Sequence, residues 1–431
     1  MLTLGGALTL TCGRVLTTSA HAASQSAPLT SEDEALLEDL SKRSFRFFWE
    51  QADSTTGIVR DRARNDGSPV DGPNADVGSI AATGFGLTAL CIASERGWVP
   101  RAEAVERARK TLRFFARRIE HHNGWFYHFI NIRSGAREWQ SELSSIDTAL
   151  LVAGVLTARR CFAGDRAIVI DAETIYRRID FRWMRGGDPL LLSHGWKPES
   201  GFLTGRWDHY CELMILYLLG IGAPTHSVPA ASWTAWSRPM MTFDGFRYVS
   251  AADPLFVHQY SHAWIDFRGT RERERPYIDW WQNSIDATRA HRQFCLTLAN
   301  EFPGYSENVW GITASDSPKG YVAWGGPPRH PAIDGTVVPC AAAGSLMFAA
   351  DIALPAVREM RMRFGDRIYG RYGFADAFNP TTDWVDPDVI GIDLGITLLS
   401  AENLRSGRVW RWFMANRAIP DAMRAVGLLE R

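Results

Sequence analysis

The chain has 431 residues with 47 basic against 48 acidic side chains, a net charge of −1, so nothing in it offers the basic excess or stripe that nucleic-acid phosphates require. It is long enough to bury a substantial core. Its 17 Trp, 11 Tyr and 22 Phe include many Trp in Gly- and Asp-containing connectors, and aromatics beside carboxylates suit a sugar, which offers a C–H face for stacking and hydroxyls for hydrogen bonds.

At the start of the chain, a short apolar stretch in MLTLGGALTLTCGRVLTTSAHAAS leads to Ala20-His21-Ala22, the small-x-small pattern of a secretory cleavage site, although a basic n-region is missing. Residues 1–23 are therefore expected to be a signal peptide, and the protein to be periplasmic or secreted. No segment reaches the roughly 18 uninterrupted apolar residues of a membrane span. From about residue 30 onward no composition break or long linker divides the chain, and one domain is expected.

Helical patterns follow at 31–52, 79–97, 101–120, 143–163, 170–181, 207–221, 229–240, 274–300, 340–349, 352–365, 389–404 and 407–415. They are of two kinds. RAEAVERARKTLRFFARRIE (101–120) and LPAVREMRMRFGD (354–366) are amphipathic and charged, whereas GSIAATGFGLTALCIAS (78–94), SSIDTALLVAGVLTA (144–158), CELMILYLLGIG (211–222) and GIDLGITLLSAEN (391–403) are small or apolar nearly all round. Inner helices touched by protein on every side alternating with outer helices that face water predict an all-α fold, an (α/α)6 barrel with Trp-rich rim loops. A solenoid of helical hairpins would alternate likewise, but no repeated motif is present. Short strands at GWFYHFIN (124–131) and DGFRYVSA (244–251) are expected as rim hairpins.

Five cysteines would remain after cleavage, in apolar surroundings with no CxxC, and read as buried free thiols. HHN at 121–123 has no second pair at ligand spacing, so no metal is expected. GxSxG, GxGxxG and GxxxxGK[ST] are absent, leaving no serine-nucleophile or nucleotide motif and no expected cofactor.

Acids cluster instead at the starts of apolar helices: Glu142 and Asp147 in WQSELSSIDTALL, Asp208 and Glu212 in RWDHYCELMIL, and Asp386, Asp388 and Asp393 in WVDPDVIGIDLGITLL. Asp316 and Asp334 lie in or beside loops. Asp386 and Asp208 fit the N-cap role. Asp147 sits too far into its helix for a cap. Glu212 and Asp393 lie in helices with no polar face, where a charge is costly unless it lines a wet cavity, and where burial would raise the pKa as a general acid needs. Glycoside hydrolysis requires one carboxylic acid and one carboxylate. A glycan-binding protein could use the same aromatics, but binding neutral sugars has no need of such acids.

SELSSIDTALLVAG (141–154), HGWKPESGFLTGRWDHYCELMILYLLGIGAPTH (194–226), FVHQYSHAWIDFRG (256–269), ENVWGITASDSPKGY (307–321), DGTVVPCAAAGSL (334–346) and YGRYGFADAFNPTTDWVDPDVIGIDLGITLLSAENLRSGRVWRWFM (369–414) resemble, in order, the bacterial endo-β-1,2-glucanases, whose domain is labelled glycoamylase-like. The resemblance implies an (α/α)6 barrel that hydrolyses β-1,2-glucan with inversion and without a metal. It places essential carboxylates at Glu142, Asp147, Glu212 and Asp393, with Glu212 as general acid and Asp393, Asp147 or Glu142 as base. Trp207, Asp208, His258, Tyr260, His262, Trp264, Trp310, Asp316 and Trp384 are the expected substrate-binding residues, HQYSHAW being read as a rim strand that alternates polar and aromatic groups. Relatives with the same domain release sophorose or act on other glucosides, so an exo-acting, glucoamylase-like enzyme is the alternative. The expected partner is an oligo- or polysaccharide, and the expected state a monomer.

Overall fold

The computed structural model describes residues 28–430 apart from Asp253, so the expected signal segment lies outside the described residues. Among these, fourteen α-helices carry the chain. In order they are α1 (Ser31–Glu50), α2 (Ile80–Arg96), α3 (Arg101–Arg117), α4 (Ser145–Cys161), α5 (Arg166–Arg178), α6 (Met214–Ile221), α7 (Ser232–Ala235), α8 (Tyr260–Trp264), α9 (Trp280–Thr297), α10 (Pro339–Ala343), α11 (Leu346–Phe364), α12 (Gly391–Ser406), α13 (Arg408–Met414) and α14 (Ala418–Ala425). No described helix is long and apolar enough to cross a membrane.

The two kinds of helix read from the sequence are two kinds of environment. Every residue of α2 from Ile80 to Ala93 is buried, as is every residue of α6 from Met214 to Gly220. By contrast α3 and α5 bury one stripe, Ala104, Ala108, Leu112 and Phe115 on α3 and Ile168, Ala172 and Ile175 on α5, and pack on one another. α2 lies between α4 and α12, and α12 also meets α1, bringing the start and end of the chain together.

Contact around α2 is at backbone distance. A Cβ on Gly84 would come 2.3 Å from the Leu150 carbonyl oxygen, one on Gly154 would come 2.0 Å from the Gly84 oxygen, and one on Gly395 would come 2.3 Å from the Phe85 ring. α2 and α4 therefore approach as closely as their main chains permit, and α12 packs on α2 through the Phe85 ring.

Short strands attach at one end of these helices. Val77–Ser79 pairs antiparallel with Phe129–Asn131 and runs into α2. Leu143–Ser144 pairs with Gly195–Lys197 and runs into α4. Asp388–Ile390 pairs with Arg62–Arg64 and runs into α12. Ser79 and Ser144 then cap α2 and α4 by accepting the Ala82 and Asp147 amides.

Several boundaries differ from expectation. The helix expected over 207–221 begins only at Met214, because Trp207 is pinned by its indole N–H to Ser145 Oγ (2.7 Å) and Tyr210 stacks on Trp280 at 5.1 Å, which bends the chain through 207–213. The 229–240 helix shrinks to the single turn α7, followed by the hairpin Met240–Phe243 and Phe246–Val249. Asp165 caps α5 four residues earlier than expected, and Asp279 starts α9 later. The division expected near 350 falls between α10 and α11 instead, and α11 continues through a kink at Ala349. HQYSHAW is a buried helical turn and α8, not a strand.

Replacing Gly154 by Ala gains about 1 kcal/mol of helix propensity but drives a methyl into a backbone carbonyl that cannot move aside. Overpacking of this kind costs about 1–3 kcal/mol or more, so Gly154→Ala is expected to lower the melting temperature in a thermal unfolding scan, while the same change at solvent-facing Gly164, which has nothing within 4 Å, leaves it unchanged or raised.

Candidate active site

The ends of α2, α4 and α12 that receive the strands also carry the acids. Asp147 and Asp393 occupy the same place, the third residue of α4 and of α12, where the helix N-terminus favours negative charge. Their partners differ. Ser144 caps α4 and donates its hydroxyl to Asp147 Oδ2 at 2.5 Å. The corresponding cap position of α12 is Ile390, with no side-chain bond to offer, and Asp393 instead hydrogen-bonds Asp376 and the Cys340 thiol. Asp393 is 6% exposed and Asp376 4%. Burial, followed for Asp376 by the charge of its neighbour, raises both: Asp376 well above the usual carboxylate range and Asp393 to about 6.

Around this pair stand further acids. Asp316 binds Arg62 at 2.6 Å through Oδ2 and gives its amide to Asp376 Oδ2 at 2.8 Å. Asp386, expected as a helix cap, accepts the Asp388 amide within its own turn at 3.0 Å; burial pushes it to about 7, the charge of Asp316 adding to the effect. Asp61 is raised by burial against the pull of Arg62 and His128. Arg62, bonded to both Asp61 and Asp316, is a fixed cation between them.

A second group faces α4. His128 Nδ1 lies 3.1 Å from Glu142 Oε1 and Nε2 lies 3.5 Å from Asp147 Oδ2. Burial alone would lower the imidazole, but Asp147, Glu142 and Asp61 outweigh it and carry it to about 9. In return, His128 holds Glu142 below its ordinary value despite the opposing effect of burial. Just ahead of Glu142, Trp139 and Gln140 take successive left-handed conformations (φ 52° and 51°), and Arg137 binds the Ser141 and Gln140 carbonyls. Strain of about 1–3 kcal/mol per residue is characteristic of functional turns.

Glu212 sits in the turn before α6, partly exposed, and not within a wholly apolar helix as expected. Its carbonyl accepts the Ser261 hydroxyl at 2.8 Å, and the same hydroxyl accepts the Ile215 amide, fixing the head of α6. Tyr260 is raised well above the ordinary phenol value by burial, then by Asp393 and, among smaller contributions, by Glu212, so its hydroxyl feels both acids.

Of the expected substrate contacts, Asp316 joins the acid centre and Trp384 is half-buried in a ribbon with Asn379. Trp207 is held under α4. The others are corrections. Asp208 is exposed, paired with His209 at 2.7 Å, and caps nothing, since α6 starts at Met214. His262, Trp264 and Trp310 are fully enclosed and His258 nearly so: His258 bonds Tyr210, His262 bonds Ser284 and Trp264 donates to Thr88, all within the core. Desolvation lowers both histidines to about 3, as buried neutral rings require. The five described cysteines are buried free thiols, as expected.

Asp61, Arg62, His128 and Asp376 were not singled out from the sequence. His128 stood in the expected strand GWFYHFIN, but the identity of its partners depends on tertiary pairing. Two groups place three potential ligand atoms within 4.8 Å, His128/Glu142/Asp147 and Asp316/Asp376/Asp386. In the first the imidazole faces carboxylates through both nitrogens, which favours protons over a cation there; the second could hold a cation only in competition with Arg62 and the protons of the buried acids.

The Glycoamylase family model matches residues 204–417. The chain is 26% identical to an exo β-1,2-glucooligosaccharide sophorohydrolase (non-reducing end) of Parabacteroides distasonis over 94% of its own length and spans 58% of that relative. It is 26% identical to the solved endo-β-1,2-glucanase of Chitinophaga pinensis, with a TM-score of 0.83, covering 93% of this chain and 99% of that one. A Talaromyces funiculosus endo-β-1,2-glucanase, at 12% identity and a TM-score of 0.66 over 91% of this chain and 90% of that one, shares the fold. The resemblance drawn from the sequence thus holds along the length of the chain.

The raised carboxyl of Asp393 has a signed consequence. Its stabilising contribution is complete below the unfolded value near 3.8 and is lost as pH rises through about 6. Melting temperature followed from pH 4 to 8 is expected to fall less steeply for Asp393→Asn than for the native protein; equal slopes would show that the pair does not hold its proton.

Proposed function

We propose that the chain is a glycoside hydrolase that cleaves β-1,2-glucan by carboxylic acid and carboxylate catalysis, in one domain whose inner helices α2, α4, α6 and α12 belong to an (α/α)6 barrel. The observation that carries this reading is the clustering of carboxyls in contrasting surroundings at one end of α2, α4 and α12: Glu142 held low by His128, Asp386 and Asp393 held high by burial, and Asp376 held high by burial and by the charges of Asp393 and Asp386. Carboxyls driven apart by their environments are the mark of acid–base chemistry. A protein that only bound glycans would have no use for this arrangement, and the relatives' printed activities on β-1,2-linked glucans supply the substrate class.

In this mechanism Glu212, at the mouth of α6, protonates the leaving glycosidic oxygen. A carboxylate among Glu142, Asp147 and Asp393 takes a proton from the attacking water, and the anomeric configuration inverts. Asp61 and Asp316, on either side of Arg62, are the groups we assign to sugar hydroxyls. Endo action is the preferred reading, because the Chitinophaga endo-glucanase is matched over 99% of its length. The exo reading has the sophorohydrolase in its favour. Export to the periplasm or beyond rests on the Ala20-His21-Ala22 pattern.

Glu212→Gln is expected to lower the release of reducing sugar from linear β-1,2-glucan by about 10²–10⁴-fold, and near-native activity would remove Glu212 from the role of acid. Early products of many lengths are expected of endo action; a single early disaccharide would establish the exo reading.

A further inference from the structure

Three carboxylates compete for the role of base, and their surroundings separate them. Asp393 shares its proton with Asp376 in a buried pair. Asp147 commits Oδ2 to the Ser144 hydroxyl, and its amide to Ser144 Oγ, at the first turn of α4. Glu142 lies before the helix in the strained turn, with a side chain 23% exposed and one carboxylate oxygen, Oε1, on an imidazole. Its side chain is more open to water than that of Asp147, 23% against 13%, while Asp393 is buried.

His128 is built to keep it so. Its amide donates to the Glu142 carbonyl at 2.9 Å, so main chain and side chain grip the same residue. Its carbonyl accepts the Ile80 amide at the start of α2, which sets the ring's base against the helix wedged between α4 and α12. The ring itself lies flat on Phe129, with centroids 3.9 Å apart and planes 16° from parallel. The charged groups facing it are Glu142, Asp147 and, beyond them, Asp61 with its own partner Arg62. With a carboxylate at each nitrogen, both nitrogens carry protons and the ring is a cation.

We propose that His128 is the positioning residue of this site, an imidazolium clamped between Glu142 and Asp147 that holds Glu142 as the carboxylate receiving the proton of the attacking water. The inference rests on the hydrolase reading above. In the step, the water oxygen bonds to the anomeric carbon, one water proton passes to Glu142, the glycosidic C–O bond breaks and Glu212 gives its proton to the departing oxygen. Exchange with solvent then returns Glu142 to carboxylate and Glu212 to acid. His128 keeps its proton throughout and touches no sugar atom.

The test compares native protein, His128→Gln and Glu142→Gln. On linear β-1,2-glucan, His128→Gln is expected to lower kcat by about 10²-fold with little change in KM, and to move the acidic limb of the kcat–pH profile upward, because Glu142 loses the cation that keeps it ionised. Added imidazole at neutral pH should restore part of kcat. A residue that merely braces the fold would lower kcat and melting temperature together, leave the limb in place and gain nothing from imidazole; that result overturns the proposal. A second measurement does not depend on turnover: NMR titration of the His128 ring is expected to give a value near 9 in the native protein and a lower one in Glu142→Gln, and identical values would refute the clamp. If native protein released no sugar while the titration behaved as expected, the hydrolase reading would fall and the clamp would stand.

Discussion

The organisation of this protein depends on the close packing of α2 against α4, backbone on backbone, and against α12, where the Phe85 ring meets Gly395. Gly84 and Gly154 remove the side chains that would keep α2 from α4, and Gly395 yields to the face of Phe85. Helices this close cannot slide or rotate independently, so their N-terminal ends share a common edge set to within the tolerance of van der Waals contact. The strands that enter them inherit that edge, and so do Asp147 and Asp393. Precision in the acid centre is thus a property of the close packing within the first turns of these same helices.

Burying so many carboxylates together is expensive unless they are neutralised. The structure solves this by two routes. On one side a cation is supplied, Arg62 for Asp61 and Asp316 and His128 for Glu142 and Asp147. On the other, protons are retained by Asp376, Asp386 and Asp393, where burial makes ionisation unfavourable. Identical positions on α4 and α12 meet different partners: Asp147 a serine hydroxyl and an imidazole, Asp393 a second buried carboxyl and a thiol.

The sequence shows plainly what depends on local periodicity. α2, α4 and α12 are apolar all round and two of them have a serine cap, so they are found within a residue or two. Glu142, Asp147 and Asp393 stand out for the same reason, as acids beside apolar runs. The apolar run from Leu213 onward extends the helical pattern upstream over Glu212; what stops the helix is the anchoring of Trp207 and Tyr210 by residues distant in the chain. α8 is five residues long, too short for a period to show, and its alternation of His, aromatic and small residues mimics a strand. α14 contains Pro420, a breaker in a helix interior but harmless in a first turn, where the amide has no partner to lose. The second members of the electrostatic pairs, Asp376, Asp61 and His128, acquire meaning only through tertiary neighbours.

The pairing of Arg62–Arg64 with Asp388–Ile390 joins stretches more than three hundred residues apart. Arg62 and the strand that leads to Asp393 are thus brought together by tertiary pairing alone. The same arithmetic applies to the matched segment 204–417, which contains Glu212, Asp316, Asp376 and Asp393 but none of Asp61, Arg62, His128 or Glu142. A fragment cut to those limits would carry buried acids without the Arg62 cation and the His128 imidazole that stand beside them in the whole chain.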